Sequence, residues 1–393
     1  MSTRHSDQRD DEIHQLLRQA VSRRGFLTRT ALGAGGLALG ASFLAACGGK
    51  EGGGAAGGGS AGKTLRISNW PLYIDQKSIA DFQAATGIQA EYTEDINDNA
   101  EFFAKIDEPL KRGQSIDRDI VVLTDWMAGR MIQLGYLAPL DDSKFPNRVN
   151  LVDNLKSVTW DNGRVYTVPW LSGMTGIGYN PKKTGRELTS INDIFDPKFK
   201  GQVTMLTEMR DTIGLVMLSQ GKDPSTATSA DVTAAAARIK KARESGQIRK
   251  FTGNDYAEDL AAGNIAAAIA WSGDIQGLAA DNPDLRWIAP TEGAMLWSDN
   301  MMIPKTSDRP DLAMAWINYV YDPAHSAQIV AEAPYLSPVK GTGEELAKIA
   351  PDLASSSLVN PPDDLRARLH VFRGLTDEED TEFNRIFQDA IGA

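Results

Sequence analysis

From Leu65 onward short apolar strands alternate with helices that carry a single apolar face. A chain of this order buries its apolar surface as a sheet with helices packed against it, so the fold class expected is α/β. The run LRISNW alternates like a strand, and a helix from Asp75 follows, with Ile79 and Phe82 on one face and Gly87 as its stop. Then come the strand IQAEY, a helix carrying Phe102, Phe103, Ile106 and Leu110 and closing at Gly113, and the buried-type strand Asp119–Leu123. A second set begins after Val165–Trp170: Thr175–Asn180 extended, strands at 203–206 and 265–270, and helices near 211–219 and 231–244. Pro310 opens a further helix, whose buried face is expected to carry Leu312, Ala315, Trp316 and Tyr319. Two α/β lobes are expected.

The residues before Leu65 concern place rather than fold. Ser22–Leu27 (SRRGFL) is a twin-arginine export pattern, and Leu44-Ala45-Ala46-Cys47 resembles a bacterial lipobox. Residues 1–46 are read as a signal peptide exported by the Tat route, Cys47 as the lipidated residue, and 47–63 as lipidated cysteine plus glycine-rich tether. A transmembrane anchor is the alternative, but the apolar run 30–46 has 17 residues, four of them glycine, which is short and poorly apolar for a span. Gly57–Thr64 (GGGSAGKT) matches the phosphate-cradling pattern letter for letter, yet more glycine precedes it and a strand follows. A phosphate loop needs a strand before it and a helix N-terminus after it, so this stretch is read as tether.

Charge and cysteine usage narrow the partners. Cys47 is the single cysteine, which excludes disulfides and thiolate metal sites. Six of the 41 basic and four of the 52 acidic residues lie in residues 1–46, leaving a net charge of −13 on the rest. That balance disfavours nucleic acid and mildly favours a cationic ligand. His325 and His370 are the two histidines after residue 46, and neither has a partner at metal-ligand spacing, so no metal or cofactor is expected.

Ligands of open α/β sheets bind beyond the carboxyl ends of the strands. After LRIS come Trp70 and Tyr73; after IVVL, Thr124, Asp125 and Trp126; after VTML, Glu208 and Asp211; after AAAIA, Trp271 and Asp274; and near Met295-Leu296 stand Trp297 and Asp299. Aromatic faces and carboxylates recur together, and Arg210 is the one basic residue among them. The pairing suits an organic cation, because ring faces attract ammonium groups and carboxylates accept their hydrogen bonds. Any single tryptophan at a strand end is more often core than ligand cage, and Trp287 and Trp316 are assigned to packing. Asp75 and Asp231 are read as helix caps, and Asp211 as either a cap or a ligand acceptor.

At these residues the chain resembles the spermidine/putrescine-binding proteins of bacterial ABC importers, over nearly the whole segment from Leu65 to the carboxyl end. SNWPLYI, RDIVVLTDW, MLTEMRDT, AIAWSGD and EGAMLWSDNMMIP carry the resemblance. It implies ligand roles for Trp70, Tyr73, Thr124 (in place of a serine), Trp126, Glu208, Asp211, Trp271, Asp274, Trp297, Asp299 and, near a further aromatic position, Tyr335. Pro71, where the family favours a hydroxyl, and Asp125, an added acid, are departures that bear on which polyamine is taken. The implied fold is a two-lobed periplasmic-binding-protein-like clamp with several crossings, lobe 1 being residues 64–172 plus 298–342 and lobe 2 residues 173–297 plus 343–393. Gly173, Gly176 and Gly178 are read as hinge positions or as sites of close packing. The implied function is that of an extracytoplasmic, monomeric, non-enzymatic receptor that captures a polyamine and delivers it to an ABC permease in the membrane. A clamp for another solute and a carboxylate-based glycoside hydrolase are the alternatives.

Overall fold

The computed structural model describes residues 63–393. The export pattern, Cys47 and nearly all of the glycine tether lie outside the described residues. Thr64 opens a strand, not a helix.

Ten strands form one sheet. In chain order they are β1 (Thr64–Asn69), β2 (Gln89–Glu94), β3 (Ile120–Thr124), β4 (Thr167–Tyr179), β5 (Val203–Leu206), β6 (Ile248–Thr252), β7 (Ala267–Trp271), β8 (Arg286–Ile288), β9 (Ala294–Met302) and β10 (Leu369–His370). The spatial order is β2-β1-β3-β9-β4-β7-β5-β6, with β10 beside β9 and β8 beside β4. One wing, β2-β1-β3, is parallel, as is the other, β7-β5-β6. They are joined by the antiparallel pair β4–β9, which runs through both. The near end of β4 and the far end of β9 pair beside β3, and the rest of β4 pairs with β7. The register slips between Pro169 and Ser172, and at the slip the Ser172 and Ser298 hydroxyls lie 2.6 Å apart.

The expected helices form for the expected reasons. Helix α1 (Gln76–Thr86) is capped by the Asp75 side chain and ends at Gly87 with φ 69°, a left-handed conformation that favours glycine. Helix α2 (Asn99–Lys111) buries Phe102, Phe103, Ile106 and Leu110 and is capped by Asp98. Helices α3 (Asp125–Gln133), α4 (Met209–Leu218), α5 (Ser229–Glu244) and α6 (Ser272–Asp281) follow, then α7 (Pro310–Val320), α8 (Pro323–Glu332), α9 (Thr342–Ile349) and, at the carboxyl end, α10 (Asp377–Ile391). Helix α10 packs on α5 and α4 and buries Phe383 and Phe387.

Several expectations need correction. The segment from Thr167 to Tyr179 is one strand of 13 residues rather than a connector and a new strand. Asp231 is not the cap of α5; Thr228 is, and Asp231 answers it from the third helical position in a reciprocal capping box. On α7 the face is set by Ala313, Met314, Trp316, Ile317, Tyr319 and Val320, with Leu312 and Ala315 only partly buried. Residues 343–354, expected with the second lobe, pack through α9 on α8. Of the two readings of the β4 glycines, close packing has a direct geometric basis: a Cβ on Gly173 would collide with the Trp297 ring, one on Gly176 with the Ile288 carbonyl, and one on Gly178 would come 2.7 Å from Ile275.

Candidate functional site

The carboxyl ends of four parallel strands and the middle of β9 converge on one cavity of about 350 Å³. Strand β1 delivers Trp70, and Tyr73 follows in the turn before α1. Strand β3 runs directly into α3, with Thr124 as its N-cap residue and Asp125 and Trp126 in its first turn. Strand β5 leads to α4, with Glu208 at the N-cap position and Asp211 in the first turn. Strand β7 leads to α6, beginning after Trp271, with Asp274 in its first turn. Three helices therefore start at the cavity with a carboxylate in the opening turn, where the partial positive charge of exposed N–H groups favours an anion. Trp297 and Asp299, two residues apart on β9, share one face of the strand. All twelve candidate residues, Trp70, Tyr73, Thr124, Asp125, Trp126, Glu208, Asp211, Trp271, Asp274, Trp297, Asp299 and Tyr335, line this cavity.

The acids sit in unlike surroundings. Burial pushes the Glu208 carboxyl up to about 8, with Asp98 and Asp211 nearby adding to the effect. Burial likewise raises Asp299 to about 7, against the hydrogen bond from the Thr124 hydroxyl at 2.7 Å. Asp211 rises to about 6 through burial, held back by the Trp271 indole N–H at 2.9 Å. Asp211 is thus no helix cap; its side chain orients a cavity tryptophan. Asp125 also rises to about 6 through burial, opposed by the Asn300 amide at 2.7 Å and by Arg164 beyond it. Asp274 accepts from Asn254 and Tyr256 on one oxygen, at 2.6 and 2.7 Å, and from Tyr335 on the other at 2.8 Å.

The aromatic groups hold one another edge to face. Trp70 meets Trp271 at 5.7 Å between ring centroids, Trp271 meets Trp297 at 6.2 Å, and Tyr73 meets Tyr335 at 4.9 Å. Their indole N–H groups are tied down, that of Trp70 to the Val122 carbonyl and that of Trp297 to the Thr175 hydroxyl. Trp126 differs, because the Arg210 guanidinium lies 4.2 Å from its ring centre. One face of that ring is already covered by a cation. Arg210 itself is bonded to Asp380 of α10 at 2.7 Å, so the positive charge beside the cavity has its own counter-ion. Trp316 is core, edge-on to Phe82, and Trp287 donates to the Ala270 carbonyl away from the cavity.

Sequence reasoning missed Asn99, Asn254, Trp160 and Phe372 of the lining. Asn99 lies beyond the carboxyl end of β2 and Asn254 beyond that of β6, so the strand-end rule reaches both once it is applied to IQAEY and to residues 248–252. Trp160 and Phe372 come from irregular segments and carry no such signal.

Bacterial extracellular solute-binding proteins match the chain over residues 77–352. The spermidine/putrescine-binding periplasmic protein 1 of Haemophilus influenzae is 26% identical over 283 residues, covering 71% of this chain and 77% of that protein. The putrescine-binding periplasmic protein PotF of Escherichia coli is 29% identical over 331 residues, covering 79% and 86%. Among solved structures, a putative spermidine/putrescine ABC transporter from Listeria monocytogenes superposes with a TM-score of 0.74 at 28% identity, over 84% of this chain and 98% of that one. The fold is that of the two-lobed periplasmic-binding-protein clamps, and the chain belongs to the family of bacterial extracellular solute-binding proteins.

Proposed function

We propose that the protein captures a polyamine, spermidine or putrescine, in this cavity and hands it to the membrane permease of an ABC importer. It acts as a monomer held outside the membrane by a lipid on Cys47 after Tat export, and performs no chemistry on its ligand. Lobe 1 comprises residues 64–172 and about 298–354, and lobe 2 comprises 173–297 and the remaining carboxyl-terminal segment, with β4 and β9 as crossings.

The observation that carries this reading is the convergence of Asp125, Glu208, Asp211 and Asp299 on a cavity walled by Trp70, Trp271, Trp297 and Tyr335. Burying several carboxylates together is costly, and a polyvalent organic cation offsets that cost with charge-assisted hydrogen bonds while its methylenes cover the rings. A neutral sugar would meet the rings but leave the acids without a counter-charge. The polyamines for which the relatives are named fit the same chemistry.

Native mass spectrometry of the purified soluble portion, followed by calorimetric titration with putrescine and spermidine, tests the reading. A co-purifying amine and micromolar or tighter binding support it. Absence of heat and of any thermal shift with both polyamines refutes it.

A further inference from the structure

Asn99 is fully buried at the start of α2, and its amide joins Glu208, at the mouth of β5 in the second wing, to Asp299 of β9 by way of the Thr124 hydroxyl at the end of β3. The Thr124 backbone N–H donates to Asn99 Oδ1 at 3.1 Å, which fixes the amide orientation because that group can only donate. Asn99 Nδ2 then has two protons to place. One goes to Glu208 Oε1 at 3.1 Å and the other to the Thr124 hydroxyl at 2.9 Å. Having accepted from Asn99, that hydroxyl donates its own proton to Asp299 Oδ1 at 2.7 Å. The direction of each bond is set by the one before it.

We propose that Asn99 is a positioning residue that decides which oxygen of Glu208 and of Asp299 exchanges a proton for the ligand's ammonium group. It commits Glu208 Oε1 and, through Thr124, Asp299 Oδ1 to accepting, and leaves Glu208 Oε2 and Asp299 Oδ2 to carry the proton in the empty cavity. This rests on the polyamine reading of the cavity. On binding, an O–H bond breaks at each acid that is protonated, its proton passes to solvent water, and the resulting carboxylate accepts from the ammonium group, which keeps its three protons. The charge of the filled cavity is thereby balanced.

The groups facing these acids bear on the titration. Around Glu208 stand Asp98, Asp211 and Arg210, the last neutralised by Asp380; around Asp299 stand Asp125, Asp211 and the Tyr73 hydroxyl, with Arg164 behind Asp125. Carboxylates outnumber unpaired cations there. Burial raises both acids into the neutral range, and the Asn99 amide opposes the rise at Glu208.

Calorimetry with putrescine and spermidine between about pH 5 and 9, in buffers of different ionisation enthalpy, counts the protons released. The wild type is expected to release protons near neutrality and to bind more tightly as pH rises. Asn99→Ala is expected to lose about ten- to hundredfold in affinity at neutral pH and to reach its plateau at higher pH, because Glu208 loses the donor that favours its anion. A merely structural role would lower affinity equally at every pH. Thr124→Val, close to isosteric, applies the same test to Asp299 if Asn99→Ala does not fold. Polyamine binding without proton release, or variant profiles parallel to the wild type, overturns the proposal. A wild type that binds neither polyamine refutes the ligand reading instead; the Asn99 assignment is then decided by whether thermal unfolding of the empty Asn99→Ala protein shifts its pH dependence.

Discussion

Asp274 and Asp299 line the same cavity and are equally buried, yet they are held in opposite ways. Asp274 receives side-chain donors on both oxygens, and the hydroxyls that donate to it also accept from the backbone: Tyr256 from Trp271 and Tyr335 from Asp274 itself. Its carboxyl group organises the Tyr256, Trp271 and Tyr335 wall. Asp299 receives the Thr124 hydroxyl on one oxygen, while the Tyr73 hydroxyl beside it makes no well-formed hydrogen bond. An acid given donors on both oxygens is already satisfied by the protein; one given fewer donors keeps an acceptor position open toward the cavity.

The largest effect expected from this contrast is on affinity. Asp299→Ala is expected to cost about 2–5 kcal/mol of polyamine binding, read by calorimetry, since a buried ammonium loses its partner. Asp274→Ala strands three donors, at about 1 kcal/mol or more each, so the empty protein is expected to lose about 3 kcal/mol of stability in thermal or denaturant unfolding. If Asp299→Ala were the more destabilising of the two, the contrast would be broken.

The pH dependence sharpens it further. Glu208 and Asp299 have folded values, about 8 and about 7, above those of an unfolded chain, so their contribution to stability is complete below about pH 4 and is lost as pH rises through 7 and 8. Between about pH 7 and 8 alone the stability of the empty protein is expected to fall by about 1–2 kcal/mol, read as a lower melting temperature. Glu208→Gln flattens the fall and saturating polyamine opposes it. The smallest effect concerns Trp126, whose ring face Arg210 already covers: Trp126→Phe is expected to change affinity by less than about 1 kcal/mol, and by less than Trp271→Phe.

Much of this was legible in the sequence because the strand-end rule is local. A strand that stops at Leu206 must be followed by whatever sits at its mouth, and Glu208 and Asp211 are that residue pair. Cap signals such as Asp75 and Gly87 were equally local. The illegible part depends on distant partners. Nothing near Asp274 in the sequence announces Asn254, Tyr256 and Tyr335 as its donors, and nothing near Trp126 announces that Arg210, 84 residues on, covers its ring. The close packing at Gly173 met the same limit, because the Trp297 and Tyr335 rings that need the missing Cβ come from far along the chain. Charge state was illegible too, since it depends on depth of burial and not on residue type.

The β4–β9 seam has a kinetic corollary. Its strands meet across the Ser172–Ser298 pair, 126 residues apart in the chain, with the whole second wing inserted between them. Loops of that span close slowly compared with local helices. Refolding from denaturant is therefore expected to restore helical signal early, and recognition of the guest only in the final phase.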